Sequence, residues 1–223
     1  MTAAWPLFEL ELRTPRLLLR PVRDADIEPL AKVARAGIHE PGRMPFVTQW
    51  TDVPADELGR RFAQYFWRRR AGWTPDAWAL PFAVFADGEP IGVQELKADG
   101  FPVLREVRSG SWLSAAQQRK GLGTEMRAAV LDLAFAGLGA VAATTSAYDF
   151  NAGSLGVSER LGYVRSGTRR DNLRGQAEEA VLLRLERARW EGLPNRTAVE
   201  ITGLASCLAW FGAAAAPAAE AAA

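Results

Sequence analysis

The segment Gln117-Gln-Arg-Lys-Gly-Leu-Gly-Thr124 carries the residue types best suited to holding a charged ligand. It lies between an apolar run ending at Leu113 and an amphipathic run beginning near Leu122, which makes it a strand-to-helix turn. Small residues at such a turn let backbone N–H groups close on an anion, and the helix N-terminus adds about half a positive charge. The spacing therefore describes a phosphate cradle. It is not a P-loop, because Lys120 precedes Gly121. Nor is it a dinucleotide fingerprint, since Gly121-x-Gly123 is followed by Met126 where a third small residue belongs. Gly137-Leu-Gly139-Ala-Val-Ala142 has those letters but leaves a helix and enters a strand, the wrong context. His39 is the only histidine and Cys207 the only cysteine. Intramolecular disulfides, Cys-rich zinc sites and multi-histidine centres are thereby excluded, no metal is expected, and a Ser-His-Asp relay would have to use His39.

The elements that must position this turn follow from hydrophobic periodicity. Arg16–Pro21 reads as a strand feeding a helix with Ile27, Leu30, Ala31 and Ala34 on one face. Gly37–Asp52, punctuated by Pro41-Gly42 and Pro45, reads as an irregular loop, and loops of that length are often functional. Pro54–Ala71 has Leu58, Phe62, Tyr65 and Phe66 at helical spacing, with Arg68–Arg70 where the helix dipole favours cations. Trp78–Ala86 and Ile91–Leu96 flank the hairpin signal Asp87-Gly88, and Arg105–Leu113 continues the meander. Leu122–Leu138 follows as a helix, Ala140–Ala147 as a buried strand and Asn151–Leu161 as a helix. Tyr163–Arg170 and Ala180–Arg187 close the pattern as a strand pair. The order β-α-α-β-β-β-α-β-α-β-β predicts an α+β or mixed α/β fold, with a sheet of about seven strands flanked by about four helices. One domain over residues 1–187 is expected, followed by a C-terminal extension, 188–223, with a short strand or helix and then the low-complexity run Ala213–Ala223.

The 223 residues, 48% hydrophobic and 24% charged, are ordinary for a folded globular chain. The 27 basic and 26 acidic side chains nearly cancel, so there is no bulk field for nucleic acid. Arg68–Arg70 and Arg169–Arg170 read as solvated faces. The N-terminus lacks a basic region followed by a long apolar one, and no run approaches the roughly 20 apolar residues of a membrane span. A cytoplasmic chain without membrane or nucleic-acid partners is expected.

Gln118-x-x-Gly121-x-Gly123 opening a helix, followed by Asn151-x-x-Ser154-x-x-Val157-x-x-x-Leu161-Gly162-Tyr163, resembles the GCN5-related N-acetyltransferase (GNAT) superfamily. Leu12-Arg-Thr-Pro-Arg-Leu-Leu-Leu-Arg-Pro21 looks like its RimJ/RimL-like branch, and the resemblance spans about residues 10–187. It implies a mostly antiparallel sheet with one splayed parallel pair, between the strand ending near Leu113 and Ala140–Ala147. Acyl-CoA would be the donor, its pyrophosphate held at Gln118, Arg119, Lys120, Gly121, Leu122, Gly123 and Thr124. Its pantetheine would run beside Trp112, Leu113 and Asn151. The resemblance further implies direct transfer to a primary amine, with Ser154 as proton donor or thiolate partner and Glu106 as the general base. A Tyr that relatives often carry seven residues beyond the Asn is absent, because position 158 is Ser.

By the same resemblance the acceptor wall is made by His39, Met44, Phe46 and Trp50, with Trp73 and Trp78 nearby. The acceptor is a small molecule, a peptide N-terminus or a lysine, and the assembly is a homodimer. Arg43-Met-Pro-Phe46, Gly110-Ser-Trp112-Leu and Gly123-Thr-Glu-Met-Arg-Ala-Ala-Val130 look like a narrower actinobacterial subgroup, which adds succinyl-CoA to acetyl-CoA as a donor. A CoA-binding sensor that kept the fold without turnover is the alternative, motivated by Ser158.

Overall fold

The computed structural model describes residues 4–213, so most of the Ala-rich end, from 214 onward, lies outside the described residues. In chain order the elements are β1 (Glu11–Arg13), β2 (Leu18–Pro21), α1 (Ile27–Arg35), α2 (Leu58–Ala71), β3 (Ala77–Ala86) and β4 (Glu89–Asp99). Then follow α3 (Phe101–Leu104), β5 (Glu106–Leu113), α4 (Leu122–Asp132), β6 (Ala142–Tyr148) and α5 (Ala152–Arg160). The chain closes with β7 (Val164–Leu173), β8 (Gln176–Glu186), α6 (Arg187–Glu191) and β9 (Glu200–Thr202). All nine strands join one sheet in the order β7-β8-β6-β5-β4-β3-β2-β1-β9.

The mixed, mostly antiparallel sheet agrees with the expected class, but it has nine strands where about seven were expected. The two extra strands, β1 and β9, are three residues each and pair with one another. Runs that short show no period. Residues 188–213 pack into the main core, where Trp190, Cys207 and Phe211 are buried. Trp73 Nε1 donates to the Trp210 carbonyl (2.8 Å) and Trp78 Nε1 to that of Phe211 (3.1 Å). The place expected for these two tryptophans, beside the acceptor wall, is therefore corrected. Their indoles satisfy their N–H groups on the C-terminal segment instead.

Alternation along the strands sends side chains to both faces. Ala83 and Val93 meet Leu30, Leu58, Phe62 and Phe66 of α1 and α2, while Phe82, Val84 and Leu96 share the larger cluster with α4. β5 and β6 form the one parallel pair, and their ladder is short: Glu106 pairs with Ala142, Val107 with Ala143 and Arg108 with Thr144. Beyond that β5 stays on β4 as far as Leu113, and β6 stays on β8 as far as Tyr148. The two strands diverge and open a wedge.

One buried carboxylate fixes α4 against the sheet. Glu125 Oε1 accepts from Thr14 Oγ1 (2.6 Å) and Arg16 N (3.0 Å), and Oε2 accepts from Arg16 Nε (2.6 Å). Arg16 Nη1 continues to the Lys120 carbonyl at 3.0 Å, which ties the turn before α4 to the same hub. Glu125→Ala leaves buried donors without an acceptor and should lower the unfolding free energy in urea by about 2–3 kcal/mol. Arg16→Ala should cost about 1 kcal/mol, because the Arg16 side chain is half exposed.

Candidate active site

The wedge and the turn before α4 form one cleft of ≈ 1510 Å³, wider than the roughly 300–1,000 Å³ of a small-ligand pocket and suited to an elongated ligand. At its entrance Arg119 and Gly121 take positive φ values of 60° and 82°. The helix ladder begins with Thr124 N and Glu125 N on the Gly121 carbonyl. Among the described residues the amides of 119 to 123 donate to no backbone or side-chain acceptor, as the first turn of a helix requires unless a ligand supplies one. The cradle is thus built from backbone. The Lys120 side chain folds back to Gln117 Oε1 (3.0 Å) and the Leu122 side chain is buried in the core, which leaves their main chain on the turn. Gln118 also lines the cleft, and its Nε2 donates to the Ile38 carbonyl (2.7 Å) and the Leu113 carbonyl (2.9 Å). It fastens the Gly37–Asp52 loop to the end of β5.

Deeper in the cleft, Gly110, Ser111, Trp112 and Leu113 present the free edge of β5, facing Thr145 and Ser146 of β6. On α5, Asn151 Oδ1 accepts from Ser154 N (3.1 Å) and caps the helix while lining the cleft. Ser154 also lines the cleft, and among the described residues its hydroxyl has no partner. Ser158 is fully buried, with its hydroxyl donating to the Ser154 carbonyl (3.0 Å) and accepting from Arg127 (2.7 Å). It is engaged inside the protein and cannot stand in for the missing tyrosine.

Glu106 is not in the cleft. It lies four residues before Gly110, about 13 Å along the strand, and pairs with Arg184 at 2.7 Å on the far side of the parallel ladder. Glu40, Glu95 and Glu125 line the cleft, and the carboxylate beside the β5 edge is Glu95 of β4, whose register partner is Gly110. Glu95 is 8% exposed and accepts a hydrogen bond from the Tyr65 hydroxyl, with Arg69 Nε and Lys97 Nζ each 3.7 Å from its oxygens. Burial, reinforced by the Glu95 charge, pushes the Tyr65 hydroxyl well above its ordinary pKa, so it stays a donor. The sequence clue was Glu95 itself, a lone carboxylate in the apolar run Ile91–Leu96. Burial inverts its meaning, and burial is not visible in composition.

The opposite wall is the Gly37–Asp52 loop. His39, Phe46 and Trp50 line the cleft, and Phe46, Trp50, Phe62 and Trp112 form a chain of ring contacts at 5.0 to 5.9 Å. Both His39 nitrogens are already engaged, with the Glu40 carbonyl and Thr51 Oγ1, each at 2.8 Å. Met44 does not line the wall. It is 2% exposed and packs with Tyr148 and Leu173, which anchors the loop to the far strands. Arg174 seals the anchor on Asp52 at 2.5 Å, and that hydrogen bond holds the Asp52 carboxyl below its ordinary pKa. The basic runs are engaged as well: Arg70 pairs with Asp24 (2.6 Å) and Arg169 with Asp171 (2.8 Å).

The family model described as an acetyltransferase (GNAT) domain matches residues 16–164. Among solved structures, Mycobacterium smegmatis RimJ in complex with CoA-disulfide is 19% identical, covers 92% of this chain and 95% of its own, and superposes with a TM-score of 0.63. The ribosomal L7/L12 alpha-N-protein acetyltransferase RimL in complex with coenzyme A is 16% identical over 78% of this chain and 95% of its own, with a TM-score of 0.62. A spermidine N-acetyltransferase chimera from Vibrio cholerae and hSSAT is 15% identical over 80% of this chain and 99% of its own, also at 0.62. At these identities the likeness is one of fold. No described helix is long and apolar enough to cross a membrane, and no group of potential metal ligands occurs among the described residues.

Removing the Gln118 clamp should free the loop from β5. Gln118→Ala is expected to cost about 1–2 kcal/mol in chemical denaturation, with amide hydrogen exchange rising in residues 37–52 before it rises in the sheet.

Proposed function

The chain belongs to the acetyltransferase (GNAT) family, and on that premise we propose that its cleft binds an acyl-CoA and passes the acyl group to a primary amine by direct attack. One observation carries the reading: the amide-lined turn at 119–123 and the diverging edges of β5 and β6 belong to the same cleft. The turn supplies N–H donors at a helix N-terminus for a pyrophosphate. The wedge offers unpaired strand edges to a linear chain that itself carries amides. Bound coenzyme A supplies an activated thioester, and the chain's own residues supply the rest.

The free edge of β5 at Gly110–Leu113 is proposed to donate to the thioester carbonyl as negative charge develops on its oxygen. Glu95, buried beside Gly110, takes the proton that the attacking ammonium must lose, in place of the distant Glu106. Tyr65 holds Glu95 in position. Ser154, with an unengaged hydroxyl, is the group placed to donate to the sulfur. His39, Phe46 and Trp50 form the acceptor wall, and His39 acts there through its ring face, because its nitrogens are occupied. The acceptor is a primary amine of a small molecule, a peptide N-terminus or a lysine. The donor is acetyl-CoA, the family's acyl donor, or succinyl-CoA. A homodimer and a cytoplasmic location complete the reading, on the family resemblance.

Calorimetric titration with CoA tests the cradle. Gly121→Val should weaken binding by at least about tenfold, since a β-branched side chain is strained at φ 82° and crowds the amides. Undiminished affinity would remove the site. Glu95→Gln should lower turnover by about 10²–10⁴-fold, the range of a lost general base, with CoA affinity unchanged. Glu106→Gln should leave turnover within about twofold of wild type, as expected for an exposed ion pair. The reverse order would return the base to Glu106. Binding of donor without transfer to any amine would favour the sensor alternative.

A further inference from the structure

At the apex of the wedge Thr145 Oγ1 donates to the Ser109 carbonyl at 3.0 Å, where the strand ladder has just ended. Arg127 reaches this apex from α4. It is 4% exposed, lines the cleft, and makes a single hydrogen bond, from Nη1 to Ser158 Oγ at 2.7 Å. Its Nε has no partner, and among the described residues no carboxylate pairs with it. The Ser109 and Tyr163 hydroxyls are also buried and lie beside each other, neither makes a hydrogen bond of good geometry, and Tyr163 is also within the influence of Arg127. Native proteins seldom leave one such group without a partner, and here several meet around a buried cation. Burial lowers the Arg127 pKa and raises that of Tyr163. A guanidinium nevertheless keeps its charge in a protein, and the phenol keeps its proton, so both remain donors.

A guanidinium with one hydroxyl on the cleft, Ser109, and a second behind it, Tyr163, is a receptor for an anion that offers several lone pairs. The phosphates are already placed at 119–123. Ser109 is the residue next to Gly110, where the thioester carbonyl is proposed to lie, and Arg127 lines the same cleft. The group that arrives at the apex is therefore the far end of the acyl chain. An acetyl methyl would leave the charge and every donor unanswered. A carboxylate answers them with two oxygens and about four acceptor sites.

We propose that Arg127, with Ser109 and Tyr163, is a carboxylate receptor that selects acyl-CoA donors whose short acyl chain ends in a carboxylate. This rests on the acyl-CoA reading of the cleft and concerns binding, so it can be tested before any amine acceptor is known. The full-length protein is titrated calorimetrically with CoA, acetyl-CoA, butyryl-CoA and succinyl-CoA, the last two matched in chain length and differing in charge. Wild type should bind succinyl-CoA at least about tenfold more tightly than butyryl-CoA, the worth of a charge-assisted hydrogen bond. Arg127→Met should abolish or invert that order while CoA affinity changes by less than about threefold. Arg127→Lys, which keeps the charge without the fork, should retain part of the preference. Equal binding of butyryl-CoA and succinyl-CoA by wild type would overturn the proposal, whatever the variants do. So would an Arg127→Met protein, folded by circular dichroism, that loses affinity for all four ligands alike, because Arg127 would then serve the common part of the donor. If wild type fails to bind CoA at all, the acyl-CoA reading falls. If CoA binds without the succinyl preference, only the receptor falls.

Discussion

The early end of the parallel ladder between β5 and β6 is the constraint on which the rest of this structure depends. Each strand is held by its other neighbour, β5 through the register Gly92 to Leu113 and β6 through Tyr148 to Ala180, so neither can close the gap. Gly92 shows how tight that hold is. A Cβ there would stand 2.3 Å from the Trp112 carbonyl oxygen, so β4 can lie this close to the end of β5 only without a side chain. Backbone donors and acceptors along the inner edges are left without strand partners, an arrangement that is costly when buried. The same loss makes the wedge receptive to a ligand with its own amides. Cleft and fold are one construction, and the sheet supplies rigid edges instead of mobile loops.

Helix α4 is the second half of that construction, and its charge arrangement is unusual. Its residues from Glu125 to Leu131 are all buried, so this helix has little polar face on which to place charge. Glu125 is nevertheless well satisfied, by Thr14 and by both the backbone and side chain of Arg16. Two residues on, Arg127 is not. The contrast separates a structural charge from an unanswered one: the first locks the helix and its preceding turn to the β1–β2 connection, while the second points a cation at the wedge. The Gly37–Asp52 loop is fixed by analogous means, with Met44 in the core, Arg174 on Asp52 and Gln118 on Ile38. The aromatic wall is accordingly anchored at several points although it has little regular structure.

How much was legible in advance divides along the range of the interactions. The turn at 117–124 was readable because its chemistry is local: glycines, a helix start and free amides are properties of consecutive residues. The long strands and helices were readable through their periods, and the Asp87-Gly88 hairpin through the positive φ that such residues tolerate. The position of the carboxylates is not readable in this way. Glu106 and Glu95 lie on neighbouring strands with similar local surroundings, and only the sheet register shows that Glu95 faces Gly110 while Glu106 faces Arg184. Met44 was misplaced for the same reason, since a methionine in an aromatic loop reads identically whether it faces a ligand or the core.

The amino-acid sequence by itself determined the order of the main elements, the glycine-bearing turn before α4, the single histidine and single cysteine, and the membership in one family of folds. All of these follow from local pattern and from counting. Tertiary structure alone decided which carboxylates line the cleft, that the Ser154 hydroxyl remains unengaged among the described residues, and that residues 188–213 complete the sheet and core. It alone left Arg127 Nε without a partner among the described residues. These are statements about burial and pairing between residues far apart in the chain. Burial turns a side chain's ordinary preference for water into a demand for a partner, and only the folded arrangement shows whether that demand is met.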